Sequence, residues 1–366
     1  MIRLTRILFL VGPIKRSAYE RMAEQFSPRI VYEFLTPTYP STHPTRTDAA
    51  RLISDKVFGD KALRGRIEDF EPDVVFTDTM LYGAHAKLQA CLAGRSTPLV
   101  LHLHGDWWQE YWSWFSRTTW RGRFQSSQQY AYNWVSLCLA RKVLPVCRWL
   151  ENVTHHYLPT AETEVVYMGV DPNEFYPDHK YRLKRPAVAI IQNHNVFPKA
   201  QALMNFETIV RKLPNVHFYI TEGQSTRQQF LGAVKETFSS CQNVHFLGGI
   251  HNPASVRGLL GSVDCYVLVT NLDCCPVTVL EASLMRLPVI ASRVCGVPET
   301  ILNKKTGWTV NNDSTEEWVD RINQIIADPK LGNRVGEEGR TWVLQKFAWK
   351  TIARQVENLL TIESQS

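Results

Sequence analysis

Asp273 and Glu281 are two carboxylates eight positions apart in the stretch Asp-Cys-Cys-Pro-Val-Thr-Val-Leu-Glu, a spacing that could bring both acids to one ligand. Pro276 lies where a helix would begin, because its missing N–H costs nothing at a helix start, so Asp273 belongs to a loop and Glu281 to an early turn. The N–H groups around Val277 and Thr278 then lack intrahelical acceptors, and with the helix dipole they favour an anion, most naturally a phosphate. Lys199 follows Asn193-His194-Asn195-Val196-Phe197-Pro198, behind an apolar run. A cation there, at the carboxyl end of a parallel strand, would neutralise a diphosphate; the plainer reading is a surface lysine at a helix start.

His104 closes the run Pro98–Leu103 and precedes Gly105-Asp106, where a strand-end side chain projects toward a ligand cleft. A core histidine bonded to a backbone carbonyl is the alternative. His102 shares its side of the strand by the two-residue period. Gly12 ends the first apolar run and permits close backbone approach to a ligand, although a plain tight turn would look the same. Trp107, Trp108, Tyr111, Trp112, Trp114, Phe115 and Trp120, followed by Arg121 and Arg123, form a dense aromatic and basic segment. Stacking on acceptor sugars, with Trp107 and Trp108 foremost, competes with contact at an anionic bilayer surface and with ordinary packing, the plainest use of an aromatic stripe.

The elements that must position these residues alternate. Ile7–Val11, Asp73–Phe76, Pro98–His104 and Ala140–Cys147 read as strands with helical stretches between them, as do Ala187–Ile191, His217–Ile220, Val244–Gly248, Cys265–Val269 and Pro288–Ala291 further on. Such alternation predicts an α/β fold with parallel sheets. Thr36–Asp48, rich in Pro, Thr and Ser, reads as a loop. A polar, Pro-bounded stretch divides the 366 residues, more than one core usually holds, into a first domain at 1–177, a linker at 178–186 and a second domain at 187–345, with a last helix in 346–366.

Lys and Arg number 41 against 35 Asp and Glu, a formal charge of +6 spread along the chain. That suits phosphorylated ligands or an anionic membrane surface, and with no basic stripe or zinc spacing it argues against nucleic acid. Eight cysteines without a Cys-x-x-Cys pair point to reduced thiols and a cytoplasmic protein. No apolar stretch approaches the ~20 residues of a membrane helix, which leaves peripheral contact as the form of membrane association open to the chain. No Walker loop, nucleophile elbow or Asp-x-Asp pair is present, so the expected chemistry uses neither cofactor nor metal.

The stretch from Asp273 to Glu299 resembles the donor site of retaining glycosyltransferases of the GT-B fold, the family-four type, whose pattern is Glu, seven residues, Glu and a Gly/Pro-bounded strand. Asp273 stands where that family has its first Glu. A second likeness is Met168-Gly169-Val170-Asp171 with Phe175-Tyr176-Pro177, where the family carries Asn-Gly-Val-Asp and Phe-x-Pro. The resemblance implies two Rossmann-like parallel-sheet domains facing across a cleft, the first on the acceptor side, the second binding the nucleotide sugar, and the C-terminal helix returning to the first. It implies a hexosyltransferase moving a sugar from a nucleotide-diphosphate donor to a hydroxyl of a saccharide, glycoprotein or glycolipid, with retention and without metal. Asp273 and His104 would then lie at the transferred sugar as the catalytic pair. Glu281 would hold the ribose, His194 would stand near the place of a family arginine, and Gly12, Lys199, Val277 and Thr278 would complete the donor site. The departures at Asp273, Cys274-Cys275 and Asn193-His194 leave a non-catalytic GT-B subunit as the alternative, and a nucleotide-sugar epimerase as a further one.

Overall fold

The computed structural model describes residues 4–13, 15–36, 61–177, 181–193, 196–222, 228–250 and 252–365. The chain forms two compact units, one of Met1–His104, Thr118–Tyr167 and Trp349–Ser366, the other of Gly105–Arg117 and Met168–Ala348. Residues 168–177 and the aromatic stretch 105–117 thus group with the second unit, whereas the sequence assigns them to the first domain. The loop expected beyond Thr36 and residues 178–180 of the expected linker lie outside the described residues.

Among the described residues, unit one holds the strands β1 (Thr5–Leu10), β2 (Ile30–Leu35), β3 (Val74–Thr77), β4 (Leu99–Leu103) and β5 (Lys142–Pro145), all parallel, in the order β2-β1-β3-β4-β5. Ile7, Leu8, Phe9 and Leu10 in β1 are fully buried, as a central parallel strand covered on both faces requires, which is why it reads as an unbroken apolar run. The order reverses between β1 and β3, so the turns after these strands, at Gly12 and Asp78, meet at a switch point. The helix Trp349–Glu363 lays Ile352, Val356, Leu359 and Leu360 into this unit. Glu357 accepts from the Ser27 N–H at 2.9 Å, and Gln355 Nε2 donates to the Val165 carbonyl at 2.9 Å.

Unit two contains β6 (Ala187–Gln192), β7 (His217–Glu222), β8 (Val244–Gly249), β9 (Cys265–Leu268), β10 (Val289–Ser292) and β11 (Trp308–Val310), parallel throughout, in the order β11-β10-β9-β6-β7-β8. This is the doubly wound dinucleotide order, with its reversal between β6 and β9. The helix Val277–Leu284 buries Val279, Leu280, Ala282 and Leu284 completely. Its far end is clamped by the helix Pro329–Lys346, where a Cβ on Gly336 would lie 1.9 Å from the Arg286 carbonyl oxygen, so only glycine allows the approach. The Arg340 guanidinium donates to the Leu284 carbonyl and, at 3.3 Å, to that of Phe175, satisfying a helix-end acceptor.

Among the described residues no helix is long and apolar enough to cross a membrane.

Candidate functional site

The strands β6 and β9 are neighbours at the reversal of the second sheet, and each runs into a loop and then a helix. After β6, Lys199 sits in the first turn of the helix Phe197–Asn205. After β9, Asp273 lies in the loop before the helix Val277–Leu284. The topology therefore brings together two residues 74 positions apart: Lys199 Nζ donates to Asp273 Oδ2 at 2.9 Å, with side chains 19 and 18% exposed. Burial pulls the Lys199 pKa down, but the Asp273 carboxylate, as charge and as hydrogen-bond acceptor, outweighs it with help from Glu110 and Cys274, so the net shift is upward and the ammonium stays charged. Among the described residues no side chain caps either helix, and Val277 and Thr278 are half-buried in the first turn of the second. A lysine and two helix starts thus converge where open α/β sheets take anionic ligands.

The Asp273 loop is tied down by groups that sequence reasoning missed. Asn312 Nδ2 donates to the Thr270 carbonyl at 2.8 Å and to Asn271 Oδ1 at 2.6 Å, while the Ser292 hydroxyl donates to Asn312 Oδ1 at 2.6 Å and accepts from the Thr270 N–H at 2.9 Å. The Gly296 N–H donates to the Asp273 carbonyl at 3.2 Å. Thr278 Oγ1 accepts from the Tyr266 hydroxyl at 2.7 Å. Burial first, and the Glu281 and Asp273 charges after the opposing Thr278 hydrogen bond, push the Tyr266 phenol up, so it remains a neutral donor. Glu281 is half-buried on the same helix. At the ends of β6 and β7, Gln192 Oε1 and Thr221 Oγ1 are buried with no hydrogen-bond partner among the described residues, polar positions that a ligand could satisfy. None carried a local sequence signal.

His194 lies outside the described residues. Trp107 and Trp108 are 8 and 1% exposed, which suits packing, the plainest use of an aromatic stripe. The helix Trp107–Phe115 starts on an Asp106 cap that accepts from the Gln109 N–H at 3.0 Å.

In unit one, the Gly12 N–H donates to Asp78 Oδ1 at 3.0 Å across the β1–β3 switch, and the Thr79 hydroxyl donates to the same oxygen at 2.9 Å. A Cβ on Gly12 would meet Thr79 Oγ1 at 3.5 Å, an ordinary contact, so no packing among the described residues demands glycine there. His104 is half-buried at the end of β4, with its Nε2 2.5 Å from the Tyr19 hydroxyl. That hydroxyl is 2.7 Å from His102 Nδ1, and His102 Nε2 is 2.8 Å from the Val166 carbonyl. Burial lowers both imidazoles, His102 to about 4 despite its carbonyl bond, and Lys15 adds to the effect. Both rings are neutral near neutrality.

Two concavities of about 510 and 690 Å³ open at the amino ends of the two sheets and touch no candidate residue, the ends opposite those where such sheets bind ligands. Among the described residues, no group of three His, Cys, Asp or Glu is placed to hold a metal ion.

Family models match twice: Glycosyltransferase Family 4 over residues 20–174 and Glycosyl transferases group 1 over residues 200–342. The chain is 25% identical over 271 residues to the GDP-mannose-dependent alpha-(1-6)-phosphatidylinositol monomannoside mannosyltransferase of Mycobacterium tuberculosis, covering 64% of this chain and 68% of that protein. It is 26% identical over 223 residues to the Mycolicibacterium smegmatis protein of the same name, covering 56 and 57%. The N-acetyl-alpha-D-glucosaminyl L-malate synthase of Bacillus anthracis is 26% identical over 227 residues, covering 59% of this chain and 58% of that one. The matches thus span from little over half to about two thirds of these relatives' length. Sucrose-phosphate synthase from Thermosynechococcus elongatus has a TM-score of 0.77 at 15% identity over 100% of both chains. Anabaena HepE, solved with UDP-glucose, has 0.71 at 15% over 98 and 99%. At these identities the likeness is one of fold, and that fold is GT-B.

Proposed function

We propose that this chain, which belongs to the group 1, family-four glycosyltransferases and is a glycosyltransferase, moves a sugar from a nucleotide-diphosphate donor to an acceptor hydroxyl with retention of configuration and without a metal ion. The observation that carries the reading is the Lys199–Asp273 pair at the reversal of the second sheet, beside two helix starts that no described side chain caps. An ammonium has three donors; one goes to Asp273, leaving two for phosphate oxygens. As the anomeric C–O bond breaks, charge gathers on the departing diphosphate, and Lys199 with the helix start at Val277 and Thr278 meets it where another enzyme would place a cation. Asp273 lies beside the oxocarbenium-like sugar and Glu281 holds the ribose hydroxyls, while in unit one His104 and Gly12 are the groups offered to a sugar. The acceptor oxygen attacks on the face the diphosphate leaves, and its proton passes to the leaving phosphate oxygen.

The mycobacterial relatives use GDP-mannose and act on a phosphatidylinositol mannoside, which favours GDP as the nucleotide and a glycolipid as the acceptor. A glycolipid calls for an enzyme that touches a membrane surface peripherally, and the eight free cysteines suit a cytoplasmic one. Supporting such contact, the helix Trp120–Leu139 exposes Trp120 by 68% and Phe124 by 62% beside exposed Arg121 and Arg123.

A thermal-shift panel of GDP, UDP, ADP, TDP and CDP, with and without magnesium, tests the donor site. One nucleotide, GDP first, is expected to raise Tm by several degrees, since ligand at a hundred times its Kd adds about 2.7 kcal/mol. The rise should ignore magnesium and vanish in Glu281→Ala. No shift with any nucleotide would sink the reading.

A further inference from the structure

We propose that Tyr19 and His102 are positioning residues that lock His104 as its Nε2–H tautomer, so that His104 meets a sugar hydroxyl as a hydrogen-bond acceptor through Nδ1. This rests on the glycosyl-transfer reading for the identity of the ligand; the lock itself follows from geometry. A backbone carbonyl can only accept, so His102 Nε2, 2.8 Å from the Val166 oxygen, carries the proton. His102 is 1% exposed and hydrogen-bonded to no carboxylate, which keeps the ring neutral and leaves Nδ1 as a lone pair. The Tyr19 hydroxyl, 2.7 Å away, must therefore donate to it. Having spent its only proton, the phenol oxygen can only accept from His104 Nε2 at 2.5 Å. His104 then holds its proton on Nε2, and no described residue is hydrogen-bonded to its Nδ1.

Donation therefore runs one way, from His104 through Tyr19 and His102 to Val166. Each bond polarises the next, and an imidazole that donates through one nitrogen is a stronger acceptor at the other. Among the described residues, the charged groups bearing on these side chains are the Lys15 ammonium, which opposes a proton on either ring, and the Asp78 carboxylate, which opposes ionisation of Tyr19. Tyr19 and His102 are fully or almost fully buried and act only through His104.

The test reads the tautomers directly. Protein labelled with ¹⁵N-histidine is examined by long-range ¹H–¹⁵N correlation near pH 7, with the two rings assigned by the peaks lost in His102→Gln and His104→Gln. Both are expected as neutral Nε2–H forms. Tyr19→Phe, which keeps the ring, should turn His104 into a mixture of tautomers and lower kcat roughly tenfold, the worth of one hydrogen bond. The same substitution in a His104→Ala background should cost nothing further. A wild-type His104 protonated on Nδ1, an unchanged pattern in Tyr19→Phe, or an equal loss of activity in the His104→Ala background overturns the proposal. A wild-type chain that transfers no sugar from any nucleotide donor overturns the glycosyl-transfer reading instead, and the imidazole pattern, read without turnover, still decides the lock.

Discussion

Lys199 and Asp273 each depend on the other. With about a fifth of each side chain exposed, their attraction is partly screened, so removing the lysine costs less stability than breaking a fully buried pair, roughly 1–3 kcal/mol. Its effect on catalysis should be larger, because the charge on the leaving diphosphate develops only as the bond breaks. Lys199→Met is expected to lower kcat/KM by ~100-fold or more, and Lys199→Arg to restore part of it. Initial rates against donor concentration decide; a loss below about threefold would remove Lys199 from the mechanism. His102 makes a second prediction. Its pKa falls from 6.5 unfolded to about 4 folded, so below 6.5 the unfolded chain binds the proton that the folded chain refuses. The stability this neutral ring allows is present above pH 6.5 and is lost as pH falls toward about 4, to the extent of about 3 kcal/mol. Urea midpoints across that window should drop steeply in the wild type and less in His102→Gln; parallel curves would refute the assignment. The acids at 273 and 281 were legible because eight positions of chain hold their spacing. The partner of Asp273 was not, since 74 residues and a sheet crossover separate it from Lys199, nor was Tyr19, an ordinary helix residue until it meets β4.

Among the elements, strands buried on both faces announced themselves. Ala187–Gln192 is covered along its whole length, so the pressure for apolar residues is continuous and its sequence shows it. β2 and β11 were missed, and both are sheet edges. β2 carries Glu33 and is half-exposed after Ile30, and β11 is three residues long, so neither leaves a period to read. The aromatic stretch near residue 110 had a readable helical period, yet periodicity marks a helix without saying which face is covered, and the sequence left stacking and packing both open for Trp107 and Trp108, of which burial at 8 and 1% exposure suits packing. The helix Trp120–Leu139 presents the reverse case. Trp120, Phe124, Val135 and Leu139 are exposed at intervals that align them along one side, with Arg121 and Arg123 at the same end. Sedimentation with vesicles should show binding to anionic phospholipid, weakened by salt. Arg121→Gln with Arg123→Gln should lose roughly tenfold or more, at about 1 kcal/mol per arginine, and Trp120→Ser with Phe124→Ser should lose the remainder. Equal binding to neutral vesicles, or none to either, would end the membrane reading.

At the scale of the whole molecule, chain order and spatial order part company. Residues 349–366 close the sequence but pack into the unit that opens it. Trp349, Ile352, Val356, Leu359 and Leu360 are at most 6% exposed; at 1.5–3 kcal/mol for each buried side chain, the helix contributes roughly 10 kcal/mol of apolar burial. A unit's entire net stability is of order 5–15 kcal/mol. A chain ended at Ala348 should therefore lose the folding of unit one. Unit two keeps its own core, centred on residues such as Ile190, Phe206, Phe218 and Trp318, together with the Lys199–Asp273 pair, and should go on binding nucleotide. Calorimetry is expected to show two transitions in the full chain, of which only one moves with added nucleotide diphosphate, and in the shortened chain that nucleotide-sensitive transition alone. Should shortening leave both transitions in place, the helix is dispensable to unit one. Should it abolish the nucleotide response, the donor site needs more of the chain than the unit that carries Lys199, Asp273 and Glu281.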